Sequence, residues 1–400
     1  MDASRLLGQP EFGRQLRQLR VSRGLSQADL AGEGISKAQI SRLESGLRPP
    51  TERTIAYLAE RLDVTPEAFR FGNTEILTLA EALAAVTSAV DREHALDRLR
   101  DVLHDQPEAD PTLRWHALWL LGERNDDERG LLVELVALAE EIDQPTLRAR
   151  THARLARFLR SQGDLDAALT AADRAMAEID GRPTSPADTA SLLLALVSIE
   201  VESNNGGSAA KYAASLHSLL PRLPYLLRTE ALWTLAAYRI YEQHYEEGRA
   251  ALEEAMETLS SKDNLILWMR LRLAAARLYM IESVDLGQAR RRLAEVGPAI
   301  ELIGHTRHQH EFLTMTARLA YLEGDLDRAE ELIRGTDPLG LDLDYPDRMR
   351  HLALIAQVKL ARGDESGGTD LVELAQEAEA RKNFKLSSEI WKARATTRRA

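Results

Sequence analysis

The sequence predicts an all-α protein made of a bundle of five short helices over residues 12–70, followed by an α-solenoid of stacked helical hairpins. Two observations favour this class. Nearly every segment places apolar residues at helical spacing, and no segment shows the alternation typical of a strand. Ala, Leu, Arg and Glu, which all favour helices, also dominate the chain. The predicted domains are residues 1–70, a junction at 71–78, and repeats over 76–400.

Composition excludes several classes of site. A chain of 400 residues is too long for one compact core, and the absence of cysteine excludes disulfides, thiolate zinc sites and cysteine nucleophiles. No run of about 18 apolar residues could span a membrane, and the first residues lack the apolar segment of a secretory signal. We therefore expect a cytoplasmic protein with no membrane segment.

Charge is distributed unevenly along the chain. Residues 1–70 contain 11 Lys and Arg against 9 Asp and Glu, whereas the remaining residues contain 40 and 54. The first domain is mildly basic and the rest is acidic. Because an acidic body repels nucleic acid, any binding to it would depend on a few well-placed residues of the first domain.

A tight turn separates two short helices between residues 24 and 50. The first helix begins after Ser26, a suitable N-cap, and continues as "QADLA". The glycines of "GEG" (32–34) break it, because glycine adopts positive φ without strain. The second helix, "KAQISRLES", is capped by Ser36 and ends at Gly46. Two helices joined by such a turn are the arrangement of a DNA-binding helix-turn-helix.

The second helix has an apolar face and a polar face. Ile40 and Leu43 lie on one side and anchor the helix to the core. The residues that then project outward are Lys37, Ala38, Gln39, Ser41 and Arg42. Lys and Arg suit the O6 and N7 atoms of guanine, and Gln suits adenine, so this face could read the major groove. The alternative is that any one of these side chains is only a solvated surface residue.

Residues 12–70 resemble the helix-turn-helix domain of the phage repressor/Cro-like family, also called the XRE family. The segments that carry the resemblance are "LRQLRVSRGLSQADLA", "ISKAQISRLESG" and "RPPT". The resemblance implies a double-stranded DNA operator as partner, and a buried ion pair between Arg20 and Glu44. The base contacts that it implies are Lys37, Ala38, Gln39 and Arg42, and the phosphate contacts are Ser26, Gln27, Ser36 and Arg48. Gln27 would also touch the recognition helix.

This sequence departs from the family pattern at the turn. Between Leu30 and Ile40 it is one residue shorter than the usual pattern, and the apolar residue that precedes the turn glycine is missing. We expect a tighter turn and a slightly different entry of the recognition helix into the groove. The alternative is a helical domain without a role in DNA binding.

Helical hairpins recur at a spacing close to 40 residues after the first domain. Gly-Asp-Leu-Asp turns at 163–166 and 324–327 mark the clearest copies. The weaker copies have their turns near Asn125, Asn204, Gln243, Val284 and Gly363. Such hairpins bury their apolar faces only against neighbouring copies, and the helix after 383 would cap the stack. The longer connection at 335–347 is interpreted as a surface loop or, alternatively, a mobile one.

The hairpins resemble tetratricopeptide-type repeats, in which the first helix of each pair lines a concave groove. We aligned the copies on the turn and on a small residue between the helices. The groove positions are then Arg150, Arg157, Arg160, Trp233, Arg270, Arg277, Arg318 and Arg350, with Glu230 and Glu311 as acidic exceptions. Arginine binds carboxylate and phosphate bidentately, so we expect a peptide or small anionic effector. Alternatively, the arginines are solvated or pair with neighbouring acids.

No catalytic or metal-binding pattern is found in the sequence. His305 and His308 are three residues apart, but no further ligand pattern completes a metal site, and no phosphate-binding loop or nucleophile elbow occurs. We predict a protein without enzymatic activity, catalytic residues, metal or cofactor. The predicted function is a homodimeric transcriptional regulator that senses an effector. The alternative is a repeat adaptor for a protein partner, with the first domain as a DNA tether.

Overall fold

The computed structural model describes residues 9, 11–23, 25–32, 35–62, 64–69, 78–89, 91–122, 128–281, 285–334 and 340–397. The described residues are helical with short connections, and they contain no strand beyond an isolated bridge between Gly32 and Ile35. The predicted all-α class is confirmed. The chain divides into two compact units, residues 1–117 and residues 118–400.

The first unit begins with the predicted small bundle. Its helices are α1 (Glu11–Ser22), α2 (Lys37–Glu44), α3 (Glu52–Arg61), a 3-10 helix (Pro66–Phe69), α4 (Leu79–Ser88) and α5 (Arg92–Asp105). The described part of residues 12–70 thus has three α-helices and one 3-10 helix, and the helix expected after Ser26 is replaced by turns. The N–H of Asp29 bonds to the Ser26 carbonyl and that of Ala31 to the Ala28 carbonyl, which is 3-10 spacing. The segment reaches Gly32 before α-helical bonding is established.

The small bundle closes over one apolar core. Leu30, Ile40 and Leu43, which the sequence directs inward, are buried, and the Phe12 and Phe69 rings lie 5.2 Å apart. Ser36 is the N-cap of α2, as predicted. Residues 71–77 of the predicted junction lie outside the described residues. The compact first unit extends through α5, whereas the sequence assigns α4 and α5 to the repeats, and the predicted domain boundary stays a prediction.

The second unit is the predicted α-solenoid. Its helices are α7 (Glu128–Ile142), α8 (Pro145–Ser161), α9 (Leu165–Ile179), α10 (Pro186–Glu202), α11 (Gly206–Leu219), α12 (Tyr225–Tyr241), α13 (Tyr245–Thr258), α14 (Leu265–Met280), α15 (Leu286–Ile303), α16 (Thr306–Leu322), α17 (Leu326–Arg334), α18 (Tyr345–Ala361), α19 (Ser366–Ala380) and α20 (Phe384–Thr396). Helix α6 (Pro111–Leu121) lies between α5 and α7 in the chain. Helices α8 to α19 form six antiparallel pairs, and α20 packs on the last pair.

The turns within the hairpins share one backbone conformation. A residue with positive φ follows the first helix, and its N–H and the next N–H bond back to the last helical turn. These residues are Gly163, Asn204, Gln243, Gly324 and Gly363, and Lys382 repeats the motif before α20. Their positions match the predicted turns, and the predicted turns at Asn125 and Val284 lie outside the described residues. The repeats are therefore structurally equivalent although their sequences differ.

The small residues used to align the repeats lie between packed helices. Ala156, Ala236, Ala276, Ala317 and Ala356 are all buried. One boundary differs from the prediction, because α18 begins at Tyr345, inside the connection expected over 335–347. Pro346 occupies the first turn of α18, where proline is tolerated, so it starts a helix there and does not extend the loop. Residues 335–339 lie outside the described residues.

The solenoid curves until its last helices meet α8, α9 and α10. Helix α20 contacts α10, the Arg381 guanidinium donates to the Gln162 carbonyl at 3.2 Å, and Lys382 pairs with Asp166 at 2.6 Å. The Tyr345 ring lies directly against Gly163. The second unit therefore closes on itself, and the first helices of the repeats surround a common interior.

Candidate functional site

A buried ion pair fixes the recognition helix α2 in the first unit. Arg20 of α1 binds Glu44 of α2 bidentately, with Nε–Oε1 and Nη2–Oε2 distances of 2.6 and 3.1 Å. Gln27 Nε2 donates to the same carboxylate at 2.8 Å. The side chains of Arg20 and Glu44 are only 12% and 5% exposed. The predicted structural pair is confirmed, and Gln27 makes its predicted contact with the recognition helix.

The protonation behaviour of Glu44 follows from these contacts. Burial acts to raise its pKa, but the hydrogen bonds from Arg20 and Gln27, together with the charge of Arg20, lower the pKa below the ordinary glutamate value. The same pairing raises the pKa of Arg20. Both groups are therefore charged across the neutral range, and the recognition helix is fixed to α1 by a full ion pair.

The turn before α2 is tight, as expected from a segment that is one residue shorter than the family pattern. Gly32 and Ile35 exchange both backbone hydrogen bonds, at 3.0 and 2.7 Å. Gly32 has a φ of +154°, and a Cβ there would lie 2.9 Å from Arg61 Nη2 and 3.0 Å from the Tyr57 hydroxyl. Tyr57 in turn donates to the Leu30 carbonyl at 3.2 Å. Helix α3 thus packs on the turn, and the positive φ of Gly32 is a conformation that residues with a side chain rarely adopt.

The predicted base-reading residues occupy the accessible side of α2. Lys37, Ala38 and Arg42 are exposed, and Gln39 is half-buried at its edge. Gln39 also completes a capping box, since its Oε1 accepts from the Ser36 N–H at 2.8 Å and Ser36 Oγ accepts from the Gln39 N–H at 3.3 Å. The structure therefore places all four side chains on one helix but gives Gln39 and Ser36 a role in stabilising it.

The remaining predicted phosphate contacts lie at the two ends of the motif. Ser26 is exposed, and its backbone and hydroxyl form a reciprocal pair of hydrogen bonds with Asp29. Arg48 is exposed after α2. Sequence reasoning missed Gln9, whose Nε2 donates to the carbonyls of Leu43 and Arg48 at 3.1 and 2.6 Å. An isolated glutamine before α1 gives no signal of such a distant capping contact.

The predicted groove arginines lie on the first helices of the repeats and bridge successive repeats. Arg150 binds Asp188 bidentately at 2.8 and 3.2 Å, and Arg160 binds Glu202 at 2.6 Å, both from α8 to α10. Arg157 donates to the Ser191 carbonyl at 3.4 Å. The Arg270 guanidinium stacks over Trp233 at 5.0 Å, and Arg318 donates to Gln357 at 3.1 Å. Several arginines thus have acidic partners inside the chain, as the alternative interpretation proposed.

Asp347 of α18 lies at the centre of an ion-pair network that links four of the inner helices. Arg277 of α14 and Arg350 of α18 bind its carboxylate at 2.8 and 2.9 Å. Arg277 also contacts Glu311 of α16 at 3.4 Å, and Arg350 binds Glu389 of α20 at 2.9 Å. A direct link from α14 to α18 passes over an intervening repeat, which is possible only on a concave surface. Sequence reasoning missed Asp347 because it placed that residue in a loop.

The two carboxyl groups beside Arg277 differ in acidity. Burial, and then the Asp347 carboxylate, raise the pKa of Glu311. Burial acts in the same direction on Asp347, but the guanidinium groups of Arg277 and Arg350 hold the pKa of Asp347 well below its usual range. Of the two carboxyl groups beside Arg277, Asp347 is therefore the one that is ionised more readily.

Neither a metal centre nor a membrane-spanning helix is found among the described residues. No group of three or more His, Asp or Glu side chains there could hold a metal ion. The rings of His305 and His308 lie 5.9 Å apart. Within the same part of the chain, no helix is long and apolar enough to cross a bilayer.

Comparisons with known proteins identify the first domain. Residues 11–70 match the family model described as a helix-turn-helix domain. Among solved structures, the chain is similar to the phAimR–ligand structure, at 12% identity and a TM-score of 0.52, over 80% of this chain and 88% of that one. It is also similar to the apo form of RapI, at 13% identity and a TM-score of 0.42, over 80% of this chain and 96% of that one.

A further similarity is to Bacillus thuringiensis PlcR in complex with the peptide PapR7 and DNA. The identity is 13% and the TM-score 0.34, over 78% of this chain and 98% of that one. No curated protein matches the sequence. The chain thus carries a helix-turn-helix domain before a helical solenoid whose fold it shares with phAimR.

Proposed function

We propose that the chain is a sequence-specific DNA-binding transcriptional regulator of the XRE type, cytoplasmic and without catalytic activity. The observation that carries this proposal is the presentation of Lys37, Ala38 and Arg42 on the accessible side of α2 within a helix-turn-helix domain. An exposed helix with guanidinium and ammonium groups, held rigidly by Arg20 and Glu44, has the features needed to read base edges in the major groove.

The repeat unit would dimerise the protein and bind an effector on its inner surface. Two first domains on one homodimer would read two half-sites about 34–36 Å apart. The phAimR structure, whose fold the solenoid shares, is a ligand complex. A surface rich in arginine, with acidic groups between, suits a peptide or small anionic effector. Binding that changes the curvature of the solenoid would change the spacing of the two domains and hence operator affinity.

A band-shift assay with the DNA upstream of the gene tests the DNA-binding role. Lys37→Ala combined with Arg42→Ala removes two base contacts of about 1–3 kcal/mol each, so we expect sequence-specific binding to weaken roughly thirtyfold or more. The control is Lys262→Ala with Arg328→Ala, which removes the same charges from exposed positions in the repeats. Unchanged retardation by the first variant would show that α2 does not read DNA.

A further inference from the structure

The Gln9 side chain joins the beginning of α1 to the end of α2 and to the segment that follows α2. Its Oε1 accepts from the Gly13 N–H at 3.2 Å, in the first turn of α1. Its Nε2 donates to the Leu43 carbonyl at 3.1 Å and to the Arg48 carbonyl at 2.6 Å, at positions 34 and 39 residues away. Because the oxygen meets a donor and the nitrogen meets two acceptors, one amide links three backbone positions.

The first turn of α1 lies directly against the last turn of α2. A Cβ at Gly13 would lie 2.5 Å from the Leu43 carbonyl oxygen and 2.8 Å from that of Glu44, so a side chain there would push the two helices apart. The ion pair of Arg20 with Glu44 holds the same two helices together one turn further along α1 and beyond. The Gln9 amide is therefore presented to α2 by a helix whose own position is fixed.

The chain after α2 is held by backbone hydrogen bonds as far as Leu47. The N–H groups of Gly46 and Leu47 bond back to carbonyls in the last turns of α2, at 3.2 and 2.9 Å, which is the pattern of a Schellman motif. The hydrogen bonds of α3 begin at Thr51. Between them lies "RPP" (48–50), whose two prolines have no N–H to donate. This stretch therefore depends on its carbonyls for hydrogen bonding, and Gln9 binds the first of them.

We infer that Gln9 is a positioning residue for the contact of Arg48 with a DNA phosphate. The Arg48 side chain is exposed, and it starts from a backbone position that Gln9 fixes relative to α2. A segment that is already ordered in the free protein loses less conformational entropy when DNA binds, so more of the phosphate contact is retained as affinity. The inference rests on the proposed function, because Arg48 meets a phosphate only when α2 lies in the groove.

A double-mutant comparison in the full-length protein tests this role, with binding to the duplex upstream of the gene measured over a series of salt concentrations. Arg48→Ala should lower the slope of log K against log [salt] by about 1, because one phosphate contact is lost. Gln9→Met keeps the length of the side chain but cannot form the three hydrogen bonds, and we expect it to weaken binding about fivefold. In the Arg48→Ala background the same substitution should weaken binding less than about twofold, because the contact that Gln9 positions is already absent.

The control is Gln15→Met, the same substitution at a half-buried position of α1, which should leave affinity and slope unchanged. Partial unfolding caused by Gln9→Met would weaken binding by the same factor with and without Arg48. An equal loss in both backgrounds would therefore show that Gln9 acts on stability alone, and the positioning role would be wrong.

The remaining outcomes separate this inference from the proposed function. If Arg48→Ala changes neither affinity nor slope, Arg48 does not contact phosphate and the positioning role is wrong, while base reading by Lys37 and Arg42 is unaffected. If the wild-type protein does not bind the duplex at all, the proposed function itself is wrong, and the role of Gln9 with it.

Discussion

At the scale of single residues, Glu44 connects α2 to α1 and to the turn segment that follows α1. It receives hydrogen bonds from Arg20 of α1 and from Gln27, and it belongs to α2 itself. The position of the predicted base-reading face therefore depends on this carboxylate as well as on the buried Ile40 and Leu43. The resemblance to XRE proteins predicted the pair with Arg20. It did not predict that Gln39 caps α2, because that bond depends on the backbone conformation at Ser36.

Replacing Glu44 by glutamine should loosen the first domain. The substitution leaves the buried Arg20 guanidinium without a charged partner, so we expect a loss of about 3–5 kcal/mol in the stability of this domain. Hydrogen–deuterium exchange of peptides covering 11–62 in the full-length protein measures the effect. Glu52→Gln, at an exposed position of α3, is the control. Equal exchange in both variants would contradict the structural role of the pair.

The same pair sets an acid limit for the first domain. The folded pKa of Glu44 lies below the unfolded value of 4.5, so its stabilisation is complete above the unfolded value and is lost as pH falls through the lowered folded value. Exchange in wild-type protein should rise over that acid range, whereas the glutamine variant should lack this part of the pH dependence. The pH dependence of exchange is therefore a second measurement of the contribution of Glu44.

At the scale of elements, the hairpin turn is the unit that repeats. Gly163, Gly324 and Gly363 adopt positive φ without strain, but Asn204 and Gln243 adopt it with a side chain. Because Gly-Asp-Leu-Asp marks only two of the copies, the others were recognisable only by spacing. The structure shows that all five share one hydrogen-bond pattern. Sequence periodicity therefore located the turns even where glycine is absent.

Gln243→Gly should stabilise the repeat unit. A left-handed conformation costs a non-glycine residue about 1–2 kcal/mol, and glycine removes that strain while losing some of the gain to unfolded-state entropy. We expect a net gain of about 1 kcal/mol, seen as a higher midpoint in thermal denaturation. The comparison variant is Gly207→Ala. Gly207 lies in α11 with an ordinary φ and has open space around it. A lower midpoint for Gln243→Gly would contradict the shared turn geometry.

The ion-pair partners of the inner-surface arginines could not be predicted from the sequence. Helical register placed the arginines on the first helices correctly, because the period of a helix is fixed. Their partners lie 38 residues away for Arg150 and 70 for Arg277, and no local pattern connects them. The assignment of 345–347 to a loop also removed Asp347 from consideration. Charge pairing between repeats is a property of curvature, which periodicity does not specify.

At the scale of the repeat unit as a whole, the described residues of the first and last repeats close on each other without sharing an apolar core. The apolar core of α18–α20 is separate from the core that joins α8 to α16. Across the closure lie the hydrogen bond from Arg381 to Gln162, the exposed pair of Lys382 with Asp166, and the Tyr345 ring on Gly163. An exposed ion pair contributes at most about 1 kcal/mol. The close approach of Tyr345 to Gly163 is therefore important for closure.

Gly163→Ala should open the closed solenoid, and the chain contains its own control. A Cβ at Gly163 would overlap the Tyr345 ring, whereas Gly324, in the identical Gly-Asp-Leu-Asp turn, has no atom within 4 Å of that position. The two glycines have φ of +78° and +84°, so alanine adds the same backbone strain at either site. We expect both variants to lose thermal stability, but only Gly163→Ala to increase the radius of gyration in small-angle X-ray scattering. If both variants scatter like the wild type, the Tyr345 contact does not hold the solenoid closed, and the inner surface is enclosed by the curvature of the repeats alone.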